Sequence, residues 1–130
     1  MATAAPTSQT SKTAPVQDVQ HFSLGQRTDQ PGPLAVVPGL GNVTAGFVIA
    51  GSSSTQDLLL TITGLNLTTD TPAVVLLQPR QSVNQNFGFA DEFAVQVIDT
   101  SEAEMLVRIQ RLDSGSGWGQ DLRLDVLIID

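Results

Sequence analysis

Four places in the sequence carry residues whose types could do chemistry. His21 is the only histidine. Ser–His–Asp catalysis needs an imidazole held beside its nucleophile, and a single His in the polar stretch VQDVQHFSL (Val16 to Leu24) offers no such neighbour. The carboxylates Asp91-Glu92 and Glu102-Ala-Glu104 fall at expected strand ends, where charge solvates a turn. Glycoside hydrolysis would need two carboxyls across a cleft, one with its pKa raised by burial. The loop Asp113-Ser-Gly-Ser-Gly-Trp-Gly-Gln-Asp121 offers several oxygens. It lacks the alternating acids of a helix–loop–helix Ca²⁺ site, and its glycines do not match a phosphate-cradling loop.

Trp118 in that loop is the sharpest single residue. An indole on a hairpin tip can stack a sugar ring, with Asp113 and Gln120 as polar contacts. It can equally anchor a subunit interface, or cover the open end of a β-sandwich. All three readings stay open at this point. The chain is expected not to be an enzyme and to use no cofactor or metal.

The elements that must position these residues are legible from composition and periodicity. The chain has 130 residues, no Cys and a net charge of −7. Thiolate metal sites and disulfides are therefore excluded, and an acidic surface repels a phosphate backbone, so nucleic acid is not an expected partner. Met1 to Pro15 has no apolar h-region and reads as no secretory signal. The apolar runs are too short to span a membrane as helices. The expectation is synthesis in the cytoplasm, with Asn42-Val-Thr44 and Asn66-Leu-Thr68 as chance sequons.

Residues 1–41 hold five of the seven prolines, and Lys12, Asp18, Arg27 and Asp29 cancel, so the whole −7 lies in residues 42–130. The first stretch is expected to be an extended N-terminal arm, ordered by a neighbouring subunit, with Val16 to Leu24 as a short edge strand or strap. The second is expected to be one domain. Its candidate strands are Val43 to Ala50, Asp57 to Thr63, Ala73 to Gln78, Phe93 to Ile98, Met105 to Leu112 and Leu122 to Ile129. Short strands at this spacing, parted by turn clusters, predict an all-β fold, an antiparallel sandwich or barrel of six strands.

Alternation assigns faces. Leu122, Leu124, Val126 and Ile128 share one side of the last strand; the other reads Asp121, Arg123, Asp125, Leu127, Ile129. The last two strands are expected to form a hairpin, with Arg108 and Arg111 facing the Asp residues across it. Leu127 and Ile129 would then expose apolar area on a monomer, which points to oligomerisation through that face.

The run from Pro72 to Asp130 resembles the H-type lectin domain. The matching features are PAVVLL (Pro72 to Leu77), FAVQV (Phe93 to Val97), MLVRI (Met105 to Ile109) and LRLDVLIID (Leu122 to Asp130) after a Trp-containing loop. The resemblance implies a six-stranded antiparallel β-sandwich that trimerises about a threefold axis. The family's N-acetylgalactosamine site, a Trp–His pair entering the last hairpin, does not carry over: that stretch reads Leu112-Asp113-Ser114-Gly115, with no His. Similar sandwiches occur in phage fibres and on capsids.

The expected function is a virion structural protein, a trimeric capsid decoration or cement protein. Its expected partners are its own copies and neighbouring subunits such as the major capsid protein. His21, Phe22 and Leu24 would dock the arm, and Arg108, Arg123, Leu127 and Ile129 would form the trimer seam. The alternative is a carbohydrate-binding module, free or on a tail fibre, using Asp113, Trp118 and Gln120 on a glycan.

Overall fold

Strict alternation of large aliphatic residues dictates two sheets that each bury one face. In a computed structural model, which describes residues 9–23, 41–82, 92–113 and 115–130, the chain is all-β. The strands are β1 (Gln9–Pro15), β2 (Gln17–Ser23), β3 (Asn42–Ser53), β4 (Asp57–Thr63), β5 (Val74–Gln81), β6 (Phe93–Thr100), β7 (Met105–Arg111) and β8 (Trp118–Ile129). One sheet, A, runs β1-β4-β7-β6 and the other, B, runs β2-β3-β8-β5. All pairings are antiparallel except β1 with β4.

The core lies between the sheets. Leu58, Leu60 and Ile62 of β4 and Met105, Val107 and Ile109 of β7 face Val48 and Ala50 of β3 and the even-numbered residues Leu122 to Ile128 of β8. Most are fully buried, each stabilising by about 1.5–3 kcal/mol relative to exposure. One end is closed by the crossover after β4, where Gly64 turns the chain at φ +80° and Leu65 and Leu67 fold inward. Their amides donate to Ala103 O and Glu102 O at 3.1 and 2.9 Å. Trp118 closes the other end.

Two expectations need correction. Among the described residues the strands number eight rather than six, because Gln9–Pro15 and Gln17–Ser23, within the stretch expected to be an arm, pair with β4 and β3. One continuous segment switches sheets at Val16, whose amide donates to Thr63 O at 3.0 Å; Ala14 and Val16 enter the core. β7 and β8 are not a hairpin: β7 lies between β4 and β6, β8 between β3 and β5. Both strands carry an apolar inner run, Met105 to Ile109 on β7 and Leu122 to Ile128 on β8, and the core is filled by setting those runs against each other across the sandwich.

Candidate functional site

The outer face of sheet B is built from four strands in register. Phe22 pairs with Val43, Val43 with Ile129, and Ile129 with Val74, so one apolar row crosses the sheet from edge to edge. Two residues along, Gln20, Ala45, Leu127 and Leu76 make a second row. Alternation aims these side chains away from the core, because their neighbours Thr44, Val126 and Ile128 point inward and are buried. Phe22 is 48% exposed, Leu76 56% and Val74 37%. Val43 is buried but belongs to no part of the core; the flanking strands of its own row cover it.

The other end of this face is polar. Arg80 and Arg123 are direct cross-strand partners, an arrangement that repels by itself. Asp125 sits one pair along and joins both: Arg80 Nε donates to Oδ2 at 2.7 Å and Arg123 Nε to Oδ1 at 2.8 Å. The Arg123 guanidinium also lies 3.9 Å from the centroid of the Phe47 ring. A shallow groove lined by Leu76, Gln78, Asp125 and Leu127 runs where the apolar and polar ends meet.

Sheet A presents different chemistry outward. Arg108 donates from Nη2 and Nε to Asp57 Oδ1 at 3.0 and 3.2 Å. Asp57 is buried, and Gln96 and Gln110 flank the pair in register. Arg108 therefore lies on the opposite side of the molecule from Arg123, Leu127 and Ile129. The four residues expected to form one seam do not share a surface; the last three do. Sequence adjacency suggested pairing of β7 with β8, and that suggestion placed Arg108 wrongly.

Of the expected docking residues, Phe22 joins the apolar row. His21 points to the other side of β2, its Nδ1 3.3 Å from Thr44 Oγ1, and Leu24 lies outside the described residues, as does Asp91. The structure thus brings Phe22 together with Leu127 and Ile129, which the sequence had set in separate groups. Val43, Val74 and Leu76 were missed. The signal was present in AVVLLQ: a run apolar on both alternations, in a strand that turns out to be a sheet edge, has one face with no core to enter.

Trp118 is a core residue. It opens β8 rather than capping a hairpin, is 4% exposed, and packs edge-on against Phe93 at 5.1 Å between centroids. Its Nε1 donates to Gly51 O at 2.8 Å. Gly117 before it leaves no space for a side chain against Ser53 O, which fixes the approach. Gln120 is inward-facing and buried, and its Oε1 has no hydrogen-bond partner among the described residues. Asp113 pairs with Arg111 and accepts from the Gly115 amide at 3.0 Å. That amide bond, then the Arg111 side chain, holds the Asp113 carboxyl below its ordinary range. The three residues expected to touch a sugar offer no exposed aromatic platform, since the indole is turned inward. Among the described residues, no group of three or more His, Cys, Asp or Glu side chains is placed to hold a metal ion.

Comparisons of the chain with protein-family models, with curated proteins and with solved structures return no match.

Proposed function

We propose that this protein is a non-enzymatic structural subunit: a homotrimeric decoration or cement protein of a virion, which adds to neighbouring subunits such as the major capsid protein through its surfaces. The observation that carries the reading is the apolar end of the outer face of sheet B, from Phe22 through Val43 and Ile129 to Val74, with Leu127 and Leu76 beside it. An apolar patch rimmed by charged and amide side chains has the anatomy of an interface. Four strands about 4.8 Å apart, averaging about ten residues at about 3.4 Å each, make a face of roughly 650 Å² before corrugation. That approaches the ~800 Å² per partner of a stable interface. The occupant of this face, on our reading, is a second copy of the chain.

The sheet edges support association by faces. Each carries a feature that discourages strand addition. β1 turns Lys12 inward, its Nζ donating to Ala50 O at 3.1 Å and to Ser52 O. β2 is bulged around Asp18, whose φ is +47°. β5 carries Pro79, and β6 is bulged between Val97 and Asp99. The virion setting rests on the resemblance of residues 72–130 to H-type lectin-like modules and on the small, acidic, thiol-free chain.

Sedimentation of the full chain tests the reading. The expected species has three times the 13.7 kDa chain mass; a monomer at micromolar concentration overturns it.

A further inference from the structure

The segment 9–23 is attached to the rest of the molecule in an unusual way. β1 is the edge of sheet A and β2 the edge of sheet B, so one run of fifteen residues supplies an outer strand to each sheet. Without it, β4-β7-β6 and β3-β8-β5 remain as three-stranded sheets with their inner faces matched. Among the segment's described side chains only Ala14 and Val16 are buried, both small, with Val19 packed partly against the core. The remaining hold is polar: the ladders to β4 and β3, the Val16 amide on Thr63 O, Lys12 Nζ on the carbonyls of Ala50 and Ser52, and the side-chain pairs Thr10 Oγ1–Thr55 Oγ1 at 2.8 Å and His21 Nδ1–Thr44 Oγ1 at 3.3 Å.

We propose that residues 9–23 are an exchangeable strap: in assemblies of this chain, the β1–β2 segment of one copy completes the β4 and β3 edges of a neighbouring copy. The seat is the same in every copy, so its contacts are made equally well by a neighbour's strap, and exchange between identical subunits costs little. Chain length permits it. The residues between Ser23 and Asn42 number eighteen, with three prolines, and span up to about 60 Å when extended. That exceeds the width of the four-stranded face. Exchange also places Phe22 of one copy in the apolar row of the next, so the strap and the face described above would act on the same junction. The inference rests on the proposed self-association, but the two are separable by experiment.

The absence of cysteine makes the test clean. Thr13 and Thr61 are register partners of β1 and β4 and face away from the core; ladder partners lie about 5 Å apart, within disulfide span. Gln20 and Ala45 are the corresponding pair between β2 and β3. The double variants Thr13→Cys with Thr61→Cys, and Gln20→Cys with Ala45→Cys, are oxidised in the assembled full chain and run on a non-reducing denaturing gel beside each single-cysteine variant. The expected result is covalent species at whole multiples of the chain mass, from the double variants only. A bond closed within single chains, at either pair, in protein that still sediments as an oligomer overturns the strap and leaves the self-association standing. Failure of both pairs to cross-link overturns it as well. Sedimentation as a monomer overturns the self-association itself.

Discussion

Phe22 and Ile129 stand on either side of Val43 in a single row across sheet B, although 107 positions separate them in sequence. The row exists only because β2 and β8, the second and last strands of the described fold, are both neighbours of β3. Its members have no reason in the core to be apolar. Thr44 and Ile128, one step along their strands, fill the core instead.

Leu76→Asp is therefore expected to separate assembly from folding. Leu76 is the most exposed apolar member of the second row, and surface substitutions away from buried features shift stability by about 0.5 kcal/mol or less. Placed within a self-association face, a carboxylate must be desolvated against hydrocarbon. The variant should sediment as a monomer while its urea midpoint stays near that of the parent. An unchanged oligomer would remove Leu76 from the interface.

Trp118→Ala is expected to be among the most damaging single changes. It empties the end of the core beside Phe93 and leaves Gly51 O without its donor. Aromatic-to-alanine changes in cores cost about 3–5 kcal/mol. Trp118→Phe should recover part of this, leaving the unpaired carbonyl, a penalty of about 1–3 kcal/mol. Chemical denaturation of both variants measures the difference; equal losses would mean that ring packing against Phe93 adds nothing beyond the Nε1 hydrogen bond, which both variants lack.

The strand pattern shows how far sequence reaches in this fold and why it stops. Asp57 to Thr63 reads DLLLTIT, with Leu58, Leu60 and Ile62 on one side, and β4 has those bounds. β3, β5, β6, β7 and β8 likewise contain or closely overlap the runs expected for them. β1 carries no such signal, while β2 falls within Val16 to Leu24, expected as a short edge strand or strap. TSKTAP and QDVQHF place polar residues on both faces, which an edge strand tolerates because little of it is buried. The misplaced β7–β8 hairpin has another cause: consecutive strands usually pair, and only the inward turn of Trp118 shows that the chain has crossed to the other sheet. Of the site, Leu127 and Ile129 were legible from alternation on the last strand. Their union with Phe22 depends on β2–β3 register, which no local pattern encodes.

Arg108→Ala is expected to destabilise by roughly 1–3 kcal/mol, because it removes two donors from a buried carboxylate rather than an ion pair from solvent. Arg108 itself is about one-third exposed, which moderates the loss. Adding Asp57→Asn to Arg108→Ala should cost less than the sum of the single changes, since each removes part of the same contact. A double-mutant cycle in urea gives the coupling directly. Strict additivity would show that Asp57 is held by its other contacts.

Acid should loosen the β7–β8 crossover through Asp113. Its folded pKa lies below the ordinary aspartate value of 3.8, chiefly because the carboxylate accepts from the Gly115 amide and the Arg111 side chain. A group whose folded pKa is depressed stabilises the fold at pH values above its unfolded pKa, and the contribution is lost as pH falls through the folded one. The crossover should accordingly be intact at neutral pH and release only below pH 3.8. Hydrogen exchange at the Gly115 amide, followed by NMR across that range, reports the release locally. Asp113→Asn keeps a side-chain oxygen as acceptor but cannot titrate, so its Gly115 exchange should lose the protonation step and follow only the intrinsic pH dependence. A step that persists in the variant would assign the acid response to a different carboxylate.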